Sequence, residues 1–154
     1  MMQTFLPHPN FAASAMVLDS RRLGNQRNEC TVLIRACVHG PSQGWYHHPV
    51  TRMWRPWLDA LRLYKDVIVR EWCRRGYSNE VGLYFSDHWT DPLVPEGTQI
   101  EMPPWLGREE LHSSHRGMLM RKMPEWYDQF NWVDPVPEDH QYWWPQQHMD
   151  LIDV

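Results

Sequence analysis

Residues 21–29 read Arg-Arg-Leu-Gly-Asn-Gln-Arg-Asn-Glu, a stretch that sets one carboxylate, Glu29, among basic and amide side chains. At about 100° per residue, Arg22, Asn25, Gln26 and Glu29 fall within one narrow helical stripe. Leu23, Cys30, Leu33, Ile34 and Cys37 line the adjoining apolar face. A lone helical carboxylate commonly serves as a surface ion-pair partner. Beside a nucleophile it can instead carry proton transfers, and a feature near the N-terminus offers such a partner.

Other polar groups suit binding more than catalysis. Tandem His47-His48 and the i, i+3 pair His112/His115 have spacings at which imidazoles can share a metal ion. Neither pair has a carboxylate or cysteine at a recognised ligand spacing, and no His-Glu-x-x-His occurs. No metal is therefore expected. His115-Arg116 and Arg121-Lys122 are suited to phosphate contact. With no Gly-rich phosphate loop and no Gly-x-Ser-x-Gly elbow, nucleotide hydrolysis and serine esterase chemistry are not expected.

These residues need elements to hold them. Pro7 and Pro9 flank His8 and disfavour helix, so residues 1–9 read as an extended arm. Asn10 suits the cap of a short helix over 11–18. Asp19 or Ser20 then caps the helix carrying the polar stripe, which runs to about Val38 and ends near Gly40. A long helical pattern covers Pro49 to Arg75, with Pro56 requiring a kink or a split and Gly76 suiting its C-terminal cap. Trp54, Trp57 and Trp72 recur there at helical spacing and are expected in the core. Residues 77–106 read as irregular. A third helix is expected from Gly107 or Arg108 to about Lys122, followed beyond Pro124 by one or two further turns. The fold class is all-α: a compact single-domain helical bundle with an extended N-terminal arm and long irregular loops. Its helical domain spans 1–133, and an acidic, aromatic-containing tail spans 134–154, loosely ordered unless Tyr142, Trp143 and Trp144 dock it.

Charge is unevenly spread. The net charge is -4, yet Leu18 to Arg75 holds eleven Arg or Lys against five acids, whereas Asp134, Glu138, Asp139, Asp150 and Asp153 lie in a tail without Lys or Arg. A basic region thus survives beneath an acidic total. Ten tryptophans are a strong excess in so short a chain: most are expected in the core, and a minority is available to stack on bases or wedge into a duplex. Three cysteines without a Cys-x-x-Cys pair read as buried hydrophobes in a reducing compartment. No apolar run is long enough to span a membrane, and no leader pattern opens the chain, so a cytoplasmic monomer without membrane association is expected.

Three segments in order resemble the bacteriophage pyrimidine-dimer DNA glycosylase family, also called endonuclease V. Residues 18–29 are similar to its early helix bearing a catalytic glutamate. His48 to Leu58, continuing through Glu71 to Tyr77, is similar to its long central helix ending in a basic residue, Arg-Gly and an aromatic. Met123-Pro-Glu-Trp-Tyr127 is similar to its Pro-x-Trp-Tyr element.

The resemblance implies double-stranded DNA with a damaged or modified base as partner. It also implies abasic-site lyase activity and attack by the chain's own α-amine on the sugar C1′, with no metal or organic cofactor expected. That amine belongs to Met1, or to Met2 if the chain starts there. With a pKa near 8, an α-amine is about one-tenth neutral at pH 7, roughly two hundred times the fraction of a lysine. Glu29 would stabilise charge developing on the sugar and shuttle protons. DNA contacts are expected from Arg21, Arg22, Asn25, Gln26, Arg27, His47, His48, His115, Arg116, Arg121, Lys122 and Trp126. Two alternatives share this scaffold: a non-catalytic binder of distorted or modified DNA, and a glycosylase for a modified phage or host base.

Overall fold

The computed structural model describes residues 2–79, 94 and 97–150. Asn10 accepts a hydrogen bond from Ala13 N at 2.9 Å and starts α1 (Phe11–Val17). Asp19 caps α2 (Ser20–His39) by accepting from Arg22 N at 3.2 Å. Each cap satisfies a backbone donor that the first helical turn leaves without a partner. Pro49 opens α3 (Pro49–Trp54), where its missing N–H costs nothing. Pro56 cannot join a continuous ladder, so a 3₁₀ turn at Arg55–Trp57 separates α3 from α4 (Leu58–Arg74). At φ 93°, Gly76 carries the chain out of α4 in a left-handed conformation that a side chain would resist. Downstream come α5 (Glu109–Lys122) and the short α6 (Pro124–Tyr127), which follows the break at Pro124.

α2 and α4 form the central pair and run antiparallel, the start of α2 at Ser20 and Gly24 meeting Arg75 and Trp72 at the end of α4, with α1 set against α4. Leu23, Cys30, Leu33 and Ile34 from α2 and Leu61, Tyr64 and Ile68 from α4 are all fully buried. Close approach is permitted at Gly24, where a Cβ would stand 2.9 Å from the Trp72 ring. Arg75 fixes the far end of α4 by donating to the Ala15 and Met16 carbonyls and to Ser20 Oγ, each at 3.2 Å.

No strand occurs among the described residues, and the all-helical expectation holds. Helix ends lie within about two residues of their sequence-derived positions, in line with the usual scatter at helix termini. Of the irregular segment expected over 77–106, residues 80–93, 95 and 96 lie outside the described residues, and the remainder contains no helix. Two expectations change: Cys73 is exposed and Cys37 only half-buried where buried cysteines are expected, and the tryptophan trio is not all core. Only Trp54 of its trio is enclosed, edge-on to Trp105 at 4.8 Å, while Trp57 and Trp72 are half-buried. Of the two alternatives for the tail, the segment over 134–150 takes the docked one. Asp134 pairs with Arg116, Trp143 N donates to Ser114 Oγ at 2.9 Å, and Tyr142 enters the core at 7% exposure. A Cβ at position 117 would collide with the Pro135 carbonyl, so glycine there lets the segment lie against α5.

Candidate active site

The arm lacks a helix or strand of its own, yet Gln3, Thr4, Phe5 and Leu6 are buried, so their backbone groups need partners from elsewhere. Gln26 of α2 supplies several. Its Nε2 donates to Gln3 O at 2.8 Å and to Glu29 Oε2 at 2.9 Å, while its Oε1 accepts from Phe5 N at 3.0 Å. The Tyr64 hydroxyl stands 2.6 Å from Phe5 O and 2.9 Å from Gln26 Oε1, dividing its single proton between them. Trp54 Nε1 donates to Thr4 Oγ1 at 2.8 Å. One buried amide therefore joins the arm to the stripe carboxylate.

From the other side, α5 grips residues 6 and 7. Leu6 N donates to His115 Nδ1 at 2.9 Å, and Leu6 O lies 2.8 Å from His112 Nδ1. His112 Nε2 accepts from Gly107 N at 3.0 Å, which fixes the proton on its Nδ1 and makes that atom the donor to Leu6. Arg116 donates to Pro7 O at 2.8 Å. Burial lowers both histidine pKa values, that of His115 to about 3, so both rings are neutral near pH 7.

Glu29 is half-buried, and burial pushes its carboxyl up to about 7 against the opposing pull of hydrogen bonds from the Gln3 backbone and Gln26. Lys122 stands within electrostatic range of Glu29, Arg22 and Arg121, and burial followed by those two guanidinium groups lowers its pKa. Tyr142 feels both Glu29 and Arg22, and its ring meets Phe5 and His115 edge-on. The result is a half-enclosed carboxylate with Lys122 in electrostatic range and the chain's third residue against it. That arrangement can take a proton from an amine and offset positive charge forming nearby.

A family model described as pyrimidine dimer DNA glycosylase matches residues 2–84, more than half of the chain. The chain belongs to this family. Comparison with curated proteins and with solved structures gave no match. Membership implies DNA as substrate, and the match takes in the arm and the whole Arg22 to Glu29 stripe.

The expected site residues divide by location. Glu29, Arg22 and Arg121 all lie within electrostatic range of Lys122, with Arg22 also ion-paired to Asp19 at 3.3 Å. Arg21 and Asn25 are exposed on α2. Arg27 lies on the Trp72 ring at 4.3 Å and donates to Asn79 Oδ1 at 2.8 Å; Trp72 in turn stacks on Tyr77 at 4.1 Å. Two expected DNA contacts are corrected. Gln26 and His115 are 1% and 0% exposed, Gln26 bonding to the arm and to Glu29 and His115 bonding to Leu6 N through Nδ1, so burial keeps phosphates from both.

Other residues are engaged within the fold. Arg116 is held by Asp134 and Glu109 as well as by Pro7. His48 caps α3, its Nδ1 accepting from Val50 N at 3.2 Å, while the adjacent His47 is exposed. Trp126 donates to Val17 O at 2.8 Å, and Tyr127 donates to Asp19 Oδ1 at 2.6 Å, so together they brace the corner from α1 to α2. Arg121 donates to Pro137 O at 2.6 Å. Met2 packs partly buried against the core, whereas Met1 lies outside the described residues.

Sequence reasoning missed Tyr64, His112 and Tyr142 as elements of the site. Their signal was indirect: an arm with two prolines and no regular structure needs side-chain partners for its backbone. Among the described residues no three His, Cys, Asp or Glu side chains cluster as metal ligands, and no helix is long and apolar enough to cross a membrane.

Proposed function

We propose that this chain acts as a monomer on damaged, pyrimidine-dimer-like sites in duplex DNA, removing the base with its own N-terminal amine and then cutting the strand. The observation that carries this reading is the Gln26 amide. It holds Gln3 O and Glu29 Oε2 on one nitrogen, which keeps the start of the arm beside the carboxylate.

The neutral amine adds to C1′, and the bond from C1′ to the base breaks, the base leaving with its electron pair. Opening of the sugar ring at C1′ then yields an imine. Loss of a C2′ proton expels the 3′ phosphate by β-elimination. Glu29, poised near 7, accepts the amine's proton, balances the cationic sugar and later moves the C2′ proton. Arg22, Lys122 and Arg121 supply positive charge for phosphates near the carboxylate. Arg21, Asn25 and Arg27 extend that contact along α2, with Trp72 and Tyr77 beneath Arg27 as an aromatic platform. The amine is that of Met1, or of Met2 after trimming.

Borohydride reduction with abasic or dimer-containing duplex, followed by intact-mass measurement, tests this. A covalent adduct is expected, and it should vanish on N-terminal acetylation and in Glu29→Gln. An adduct that persists through both changes overturns the mechanism.

A further inference from the structure

The pair His112/His115 resembles a half-built metal site in sequence, but in the fold its two rings do something else. Leu6 has both backbone polar groups bound to them, N–H to His115 Nδ1 at 2.9 Å and C=O to His112 Nδ1 at 2.8 Å. Because the two side chains are adjacent on one face of α5, they present an acceptor and a donor side by side, as a neighbouring β-strand would. Arg116, one position further, takes Pro7 O at 2.8 Å. A shift of the arm by one residue would break all three bonds and bury unpaired groups. It would also move the chain's start by about 3.3 Å, far beyond the tolerance of a reacting pair.

We infer that His112 and His115 are positioning residues that fix the register of the N-terminal arm, and so determine which atom of the chain meets Glu29. The inference rests on the proposed amine chemistry. Both histidines lie outside the family-matched residues 2–84. Their surroundings suit a permanent grip. His115 faces His112, Phe5, Leu6 and Tyr142, and its Nε2 has no hydrogen-bond partner; His112 faces Glu109, Arg116 and His8. Asparagine can imitate Nδ1 in either sense: its Oδ1 accepts as His115 does, and its Nδ2 donates as His112 does.

The test compares wild type with His112→Ala, His112→Asn and His115→Asn, on protein that retains its helical circular dichroism. In His112→Ala, single-turnover formation of the borohydride-trapped adduct should fall about tenfold or more, while affinity for the same duplex changes less than about threefold. The midpoint of the acid limb, set by Glu29, should move upward as the Gln3 hydrogen bond loosens. Amide exchange at Leu6 should accelerate. Both Asn variants should recover most of the adduct rate and of the exchange protection. If His112→Ala keeps its adduct rate and acid limb, or if the Asn variants are as impaired as Ala, the inference fails. Should wild type itself form no adduct, the proposed chemistry falls, and Leu6 exchange with the Glu29 titration still decides the register question.

Discussion

Gln26 and Glu29 are joined at 2.9 Å through the nitrogen that also holds Gln3 O at 2.8 Å, so arm and carboxylate cannot move independently. Replacing Gln26 by Leu removes that link while keeping volume. It leaves the Phe5 N–H and Gln3 C=O buried without a partner, a loss of about 2–3 kcal/mol in urea denaturation. The variant should also show a higher apparent pKa for Glu29. If its stability and titration both match wild type, Gln26 is not the link described.

Activity should rise with pH on the acid side. Glu29 titrates at about 7 and must be ionised to accept a proton, while the attacking α-amine, with a pKa near 8, must be neutral, so single-turnover rates should climb about a hundredfold per unit well below 7, about tenfold per unit from 7 to 8, and level off above that. Rates measured across pH 5.5–8.5 under single-turnover conditions check this. A limb of only about tenfold per unit with its single midpoint near 8 would remove Glu29 from the chemistry and leave the amine alone.

His115 makes stability, as distinct from activity, depend on acid. Its folded pKa of about 3 lies below the ordinary 6.5, so between those values the unfolded chain binds a proton that the folded one does not. The contribution is complete above 6.5 and lost as pH falls toward 3, at about 1.4 kcal/mol per unit. Glu29 works in the opposite sense from 4.5 to 7, since its raised pKa lets the folded state bind the extra proton. Unfolding of His115→Asn should therefore show a slope shallower by about one proton between pH 4 and 6. An unchanged slope would count against a neutral, buried His115.

Gly117→Ala should destabilise by about 1–3 kcal/mol, because the new methyl meets the Pro135 carbonyl, part of the backbone, instead of a side chain that can rotate away. Limited proteolysis should cut the variant within 134–150 faster than wild type. Equal cleavage would mean that the segment can be accommodated elsewhere.

The trapped adduct should map to the N-terminal peptide. Lys122 is the local rival, within electrostatic range of Glu29 and with its pKa lowered by burial. Peptide mapping of the reduced complex separates the two amines. An adduct on Lys122 would transfer the nucleophile's role to α5.

Much of this architecture was legible because it is governed by local rules. Asn10, Asp19, Pro49 and Gly76 act within a turn of their own position, so the helices they start or end could be read directly. Pro56 broke the long helix as its missing N–H requires. The carboxylate stripe was legible through 3.6-residue periodicity. What escaped was long-range: that Gln26 turns inward to the arm, that His112 and His115 serve Leu6 instead of a phosphate or a metal, and that Tyr142 reaches the core. Each depends on a contact partner far away in sequence, and residue type alone does not say which backbone group a buried amide or imidazole will meet.

Leu6 is bonded to residues 106 and 109 positions further along the chain. During synthesis the arm emerges well before these anchors, so until α5 has left the ribosome residues 3–7 have only part of their final seat. Such distant pairings close slowly. Nascent chains stopped short of α5 should therefore be harmless to DNA, and the arm's assembly would coincide with the last stage of folding.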